Sequence, residues 1–397
     1  MMTIKKKNLL VIIICLAVFL NNISQLPIFV DLKITSPIAI IGWAVAFLAI
    51  VPEVKFRVHS ILFPSITLVF CAFFWIVTNN NYFSEINRNF FLSVIIFIMG
   101  YSYAPFLDRD SFRRIGLFYI ISTVITSISV WYSYLLGTNS LSVAEYAYTP
   151  KNSLSQIILT AIILLFVSFI MYRQSHNRKI IYIITILALL FEVFVLFTLR
   201  SRATLIGFLL SVTFFLLCKD EGTRTRKYKS IVIVILLILT VTVFVSESFY
   251  TIVFDNIIFA GRNPNNLNEL SSGRINIISS FPELIKGHWL TGIGNYYFEC
   301  FPLAELLNNG IIVGLSQILF ALLPLIWWAN KGRYILCKEY RMIFACVSVV
   351  YIINGFFECL APFGPGAKCS FLWILYGIMS CECEWNRGNY FLIETEK

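Results

Sequence analysis

The sequence predicts an all-α, polytopic membrane protein with about twelve transmembrane helices. Three observations predict it. Of the 397 residues, 58% are hydrophobic, 37 of them Phe, more apolar surface than one soluble core of that size hides. Charged residues make up only 13%, about half the share of an ordinary soluble domain. Apolar runs of about twenty residues, the length that crosses a bilayer, recur between polar breaks. The same composition excludes a disordered chain, a collagen-like repeat and a small disulfide scaffold. The whole chain, 1–397, reads as one membrane domain, with no internal repeat and no low-complexity tract.

Taken in order, the first apolar run is 8–30, preceded by Lys5, Lys6 and Lys7. That start resembles a signal peptide, but no small-x-small cleavage site follows, so it reads as an uncleaved anchor with its N-terminus inside. Further spans fall at 36–54, 60–78, 89–106, 115–136 and 154–172. Residues 180–217 hold only Glu192, Arg200 and Arg202 as charges. A single helix of that length would be roughly 57 Å long, nearly twice the hydrocarbon thickness. The run therefore folds into a hairpin of two spans, 180–198 and 203–218, with its turn at Thr198–Arg202. The remaining spans are 230–246, 303–329, 342–358 and 369–382.

Alternating from an inside N-terminus puts 22 of the 31 Lys and Arg residues on the cytoplasmic side, as the positive-inside rule requires. Nine fall on the opposite side: Lys33, Arg88, Lys151, Arg200, Arg202, Arg262, Arg274, Lys286 and Lys368. Both termini are then cytoplasmic. The net charge of +10 becomes a matter of topology, and no nucleic-acid partner is needed to explain it. Ten cysteines are scattered without a CxxC pair or zinc spacing. They read as small hydrophobes, although Cys359 and Cys369 flank one loop and would be the pair to watch in an oxidising compartment.

One outer loop is long, 247–302, and is periplasmic in this topology. Its middle, Gly261–Gly273, is rich in turn residues. Ile275–Ile285 has the apolar spacing of an amphipathic helix lying on the membrane. The charges on this side carry the functional signal. Arg200 and Arg202 sit at a tight turn at the membrane edge, against the positive-inside trend, where an Arg within the bilayer costs roughly 2.5–3.5 kcal/mol. Arginine's planar fork binds phosphate bidentately, where Lys is a point charge. Arg202 and Arg274, with Arg200 and Arg262, therefore read as ligands for a lipid-linked phosphate or pyrophosphate. The bland alternative is snorkelling, or pairing with an acid such as Glu192, and for Arg200 taken alone it is the favoured reading. Pro302 starts a helix that puts Glu305 in its first turn, where the helix end stabilises a carboxylate. Glu305 is the first candidate base, with capping or an Arg partner as the alternative. His288, the one outward His, is a candidate base or phosphate donor, with an exposed loop His of no function as the favoured alternative, and Glu299 is a weaker acid–base candidate. Gly310 and Gly314 read as sites of close helix packing. No P-loop, GxGxxG or HExxH is present, and no Asp-rich pair is placed to hold a metal with a sugar nucleotide. No metal and no cofactor are expected.

These residues carry a family resemblance. The run Thr198-Leu-Arg-Ser-Arg-Ala-Thr-Leu-Ile-Gly207 is similar to the Arg-Ser/Thr-Arg turn of the O-antigen polymerase and ligase superfamily. Ser272-Gly-Arg-Ile-Asn-Ile277 and Gly287-His-Trp-Leu-Thr-Gly-Ile-Gly294 resemble its loop arginine and its "Pro-Leu-x-Gly-x-Gly" element, with Trp289 where Pro is usual. Leu303-Ala-Glu-Leu-Leu-Asn-Asn-Gly-Ile-Ile-Val-Gly314 resembles the helix after the large periplasmic loop. The resemblance covers roughly 190–330. Ligases of this family carry a His seven residues before the Gly that corresponds to Gly310, and here that position is Leu303. The departure favours a polymerase of the Wzy type.

The resemblance implies a GT-C-like, metal-independent glycosyltransferase of the bacterial inner membrane, acting in surface polysaccharide (lipopolysaccharide O-antigen) synthesis. Its substrate would be undecaprenyl-pyrophosphate-linked oligosaccharide repeats, joined at the periplasmic face. Its partners would be the bilayer and a polysaccharide chain-length regulator. The competing readings are an O-antigen ligase, a lipid-linked oligosaccharide flippase and a non-catalytic assembly partner. A flippase is disfavoured by the scarcity of mid-span charges and the lack of repeated halves. An assembly partner is disfavoured by the lack of a large soluble domain.

Overall fold

The computed structural model describes residues 4–53, 85–137, 151–172, 179–217 and, with short gaps, 229–386. The expected span at 60–78 lies outside the described residues, and that at 230–246 is described only in part, as helix. Among the described residues there is no strand. The principal helices are α1 (Ile4–Ile23), α2 (Thr35–Ile50), α3 (Glu85–Tyr103), α4 (Arg109–Leu135), α5 (Lys151–Tyr172), α6 (Lys179–Thr198), α7 (Arg202–Leu217), α8 (Arg274–Leu284), α9 (Phe301–Lys331), α10 (Lys338–Gly355) and α11 (Ala367–Asn386). Seven helices among the described residues are long and apolar enough to cross a membrane, and the 16 residues of α7 form a shorter apolar helix. The protein is an all-α polytopic membrane protein.

The helices stand where the apolar runs predict, with two differences. The first run, read as 8–30, ends at Ile23. The chain bends there and forms a short helix Pro27–Asp31, opened by proline at its first position, where no backbone N–H is needed. The second difference is in α9. The run 303–329 reads as one span, but Phe301–Lys331 as a straight helix would be about 47 Å long, well beyond the bilayer core. Gly310, at φ 70° and ψ −179°, breaks it into a short arm, 301–309, and a long arm, 311–331. That backbone conformation is open essentially to glycine alone.

The two arms fold back on each other. Gly314 of the long arm meets the Glu305 backbone of the short arm, and a Cβ there would collide with it. Phe301 lines a small apolar cavity with Ile318 and Ala321. The pairing of 305 with 314 and of 301 with 318 is that of an antiparallel helical hairpin hinged at Gly310. The short arm is thus a re-entrant element buried in the bundle. Non-spanning backbone at that depth is tolerated because protein surrounds it. Phe363, on the loop after α10, reaches the same level. It packs edge-on to Phe301 and Phe90 and stacks on Trp373, on which Phe320 also stacks.

Contacts sort the charges into two ends. At one end Lys6 pairs with Glu53, Lys7 with Asp108 at 2.9 Å and Arg109 with Glu339 at 3.0 Å. These pairs join the starts of α1, α4 and α10 to the end of α2. At the opposite end, Ser201 before α7 donates to Asn152 in the first turn of α5 at 3.1 Å, and Asn152 donates to Glu358 beyond α10. The basic residues Lys151, Arg200, Arg202, Arg262 and Arg274 belong to this second end.

In the long loop, the expected amphipathic helix forms as α8, with Phe281 buried and Ile277 and Leu284 packed under it against Phe298, Cys300 and Leu307. Glu247–Tyr250 and Leu267–Leu270 are short helices in the same stretch. Cys359 and Cys369 are both buried, and neither is in a disulfide among the described residues. Cys369 donates to the Gly364 carbonyl at 3.4 Å, and burial pushes the Cys359 thiol up to about 11.

Candidate functional site

The hairpin turn between α6 and α7 builds the first part of the site. Leu199 N–H donates to Val195 and Arg200 N–H to Phe197, so α6 ends by one tight turn. Arg200 takes the left-handed conformation, φ 52°, which for a residue with a Cβ costs about 1 kcal/mol or more. Ser201 then opens α7, its hydroxyl 3.0 Å from that of Thr204 and its carbonyl accepting from Leu205 N–H. The strained turn directs Arg200 and Arg202 to the same end of the bundle.

Arg274 comes from the other side of the long loop, at the first position of α8 behind Gly273. Its guanidinium pairs with Glu299 at 3.0 Å and donates to the carbonyls of Ser271 at 3.3 Å and Phe357 at 3.1 Å. Its Nε is buried and has no partner among the described residues. Arg202 lies within electrostatic reach of both Arg262 and Arg274. The four arginines read from the sequence are therefore brought together, from segments up to 74 residues apart in the chain (274 − 200).

A fifth cation joins them. Lys151, the first residue of α5, is within electrostatic reach of Arg200, Arg202 and Arg262. The side chains of Lys151, Arg200 and Arg262 make no hydrogen bond or ion pair among the described residues. Lys151, Arg202 and Arg274 each stand at the first position of a helix, those of 22, 16 and 11 residues. A cation there opposes the helix dipole and costs about 0.3–1 kcal/mol. The same helix ends, with their unpaired N–H groups, favour an anion. Three such placements gather like charges, of which Arg274 is held by Glu299 and two backbone carbonyls. Together they suit a ligand with several negative charges.

The three acid–base candidates go to different places. Glu299 is the partner of Arg274. His288 is exposed on the turn after α8, where its backbone N–H donates to Ile285 and its carbonyl accepts from Gly292, and its side chain has no hydrogen bond among the described residues. Glu305 lies on the re-entrant arm and is fully buried. It neither caps the helix nor pairs with an arginine. Its Oε2 accepts from Asn309 at 2.9 Å, Asn309 also donates to Gln317 at 2.8 Å, and Oε1 has no partner among the described residues. Glu192, considered as an arginine partner, is buried in mid-span and accepts from Ser127 at 2.8 Å.

The loop that carries Glu299 is fixed on the break in α9. Ile293 N–H donates to Leu307 at 2.7 Å and Ile311 N–H to Trp289 at 2.7 Å. Asn308 accepts from Tyr296 N–H at 2.6 Å and donates to the Tyr296 carbonyl at 2.9 Å. Gly310 and Gly292 let the two backbones touch, since a Cβ on either would strike the other strand of chain. The Gly-x-Gly element and the Asn-Asn-Gly break are thus two halves of one joint.

Sequence reasoning missed Lys151, Asn152 and Glu358 as site residues. Lys151 was visible as one of nine basic residues on its side of the membrane. Glu358 follows Phe357, whose carbonyl holds Arg274, and Tyr297 feels the charges of Glu299, Glu358 and Arg274. No local pattern marks either Asn152 or Glu358.

Residues 187–323, from the middle of α6 through most of α9, match the family model described as O-antigen ligase. The match includes the turn at Arg200–Arg202, the long loop and the Gly310 break. It supports the O-antigen polymerase/ligase superfamily, whose members are glycosyltransferase-like membrane enzymes. No curated protein matches the chain.

Proposed function

We propose that this protein is an O-antigen polymerase of the Wzy type, joining undecaprenyl-pyrophosphate-linked oligosaccharide repeats at the periplasmic face of the inner membrane. The observation that carries the reading is the gathering of Arg200, Arg202, Arg262 and Arg274 at one end of the bundle, five cations with Lys151, beside the carboxylates Glu299 and Glu358. Pyrophosphate is the multiply charged group that a membrane enzyme of this superfamily meets at headgroup depth.

In this reading Arg202 and Arg274 hold the donor pyrophosphate, with Arg200 and Arg262 beside them. Glu299 aims Arg274. An acceptor sugar hydroxyl attacks the anomeric carbon of the donor glycan. The bond from that carbon to the pyrophosphate oxygen breaks, and undecaprenyl pyrophosphate leaves with its new negative charge held by the arginines. The proton of the hydroxyl goes to a carboxylate. Glu358 fits that role better than Glu305, because it stands beside the arginine cluster, held by the Asn152 amide, while Glu305 is closed inside the bundle. His288 is left without a part in the step.

Polymerase is preferred to ligase because Leu303 occupies the position where ligases of this family carry a histidine. The ligase is the second reading, and the description of the matched family favours it. Arg202→Lys separates the pyrophosphate role from simple charge. It keeps the charge and loses the bidentate fork, so polymer should fall at least tenfold while the protein still inserts at its normal level. Near-normal polymer from that variant would remove the role.

A further inference from the structure

We propose that Lys151 is a fifth phosphate ligand of this site, supplied by α5, and that Asn152 is the positioning residue that docks it there. The inference rests on the pyrophosphate reading above. It extends the site to a helix outside the residues matched to the family.

Three observations converge on it. Asn152 ties the first turn of α5 to the arginine turn through Ser201, and to the loop after α10 through Glu358. Phe357, next to Glu358, accepts from Arg274. One chain of contacts thus joins Ser201, Asn152, Glu358, Phe357 and Arg274, and Lys151 is the chain neighbour of Asn152. Secondly, the Lys151 ammonium is half-buried beside Arg200, Arg202 and Arg262 and has no hydrogen-bond or ion-pair partner among the described residues. Thirdly, it stands at the start of a 22-residue helix whose dipole opposes it. A solvated lysine would turn away from three like charges and a positive helix end. Here Asn152 holds the start of α5 beside the arginine turn, and the half-buried Lys151 side chain lies among the arginines. An anion placed among the arginines relieves all of these repulsions together, and a pyrophosphate has enough oxygens for Lys151 and the arginines at once.

The test uses the full chain in lipid nanodiscs with inorganic pyrophosphate as the probe, its affinity measured at two salt concentrations. Lys151→Gln should weaken binding about tenfold and flatten the salt dependence, as one cation fewer is engaged. Lys151→Arg should bind within about threefold of the parent. Asn152→Ala should weaken binding less than Lys151→Gln and keep the parent's salt dependence, because the charge remains but is no longer docked. Arg202→Gln reports on the underlying reading. Lys151→Gln binding like the parent, while Arg202→Gln has lost binding, would overturn the role of Lys151 and leave the pyrophosphate site standing. A parent that does not bind pyrophosphate, or an Arg202→Gln variant that binds as well as the parent, would overturn both. Equal losses from Lys151→Gln and Lys151→Arg, with the salt dependence unchanged, would mark Lys151 as a packing residue and also overturn the inference.

Discussion

At the scale of single residues, environment separates carboxylates that look alike in the sequence. Glu305 is buried on the short arm of α9 and accepts from Asn309, whereas Glu358, beyond α10, accepts from Asn152 next to the arginine turn. In the proposed step Glu358→Gln should lower polymer formation by two orders of magnitude or more, the usual weight of a general base. Glu305→Gln keeps an oxygen to accept from Asn309 and removes the burden of a buried carboxylate, so its activity should stay within about threefold. Comparing the two variants for polymer per inserted protein decides between the residues. A second residue-scale outcome concerns the far end. Burial alone would raise the Asp108 carboxyl, but the Lys7 ammonium and the Ser111 hydroxyl and N–H hold it down to about 2. A carboxyl lowered from its ordinary value near 3.8 adds stability that is complete above that value and is lost as pH falls toward 2. Acid unfolding should therefore steepen between about pH 4 and pH 2 in the parent, and Asp108→Asn should lose that part of the slope. The arginines at the site were legible because charge at a membrane edge is costly and scarce. The partners of Glu305 and Glu192 were not legible, because a mid-span carboxyl finds its neighbours through tertiary packing alone.

At the scale of elements, hydropathy located the helices, and length arithmetic located one of the two sharp turns. The 180–217 run had to fold, and it does so at the predicted Thr198–Arg202 turn. The same arithmetic applied to Phe301–Lys331 would have required a break, but the apolar stripe runs on through Gly310, and glycine in a membrane helix reads as a packing site. What decides the matter is the partner: the Trp289–Gly294 backbone occupies the space that a Cβ at 310 would need. Gly310→Ala should therefore lose both the backbone conformation and the joint. The strain alone is about 1–3 kcal/mol, before the clash is counted. Thermal unfolding in detergent should show a clear drop in Tm or a loss of folded yield. Alanine at Gly137, which is exposed and faces open space, should cost only its local positive-φ strain. An unchanged Tm for Gly310→Ala would mean that the re-entrant arm is not held as described.

At the scale of the whole molecule, the bundle has two chemically different ends. One is laced by lysine–carboxylate and arginine–carboxylate pairs between helices, and the other collects cations around a strained turn and the joint on α9. The alternation of spans foresaw this division from charge counts. The ion pairs and hydrogen bonds put Lys6, Lys7 and Arg109 at the end opposite Lys151, Arg202 and Arg274. Single cysteines at exposed positions test the orientation that the proposed reaction needs. A membrane-impermeant thiol reagent applied to whole spheroplasts should label a cysteine placed at His288 and should not label one placed at Arg113. The reverse pattern would put the arginines in the cytoplasm and end the periplasmic account. The most direct test of the central claim is deletion in the native host, followed by gel analysis of surface lipopolysaccharide. The account predicts loss of the ladder, with the core plus a single repeat retained. An unchanged ladder, or loss of every capped species including that single repeat, would contradict it.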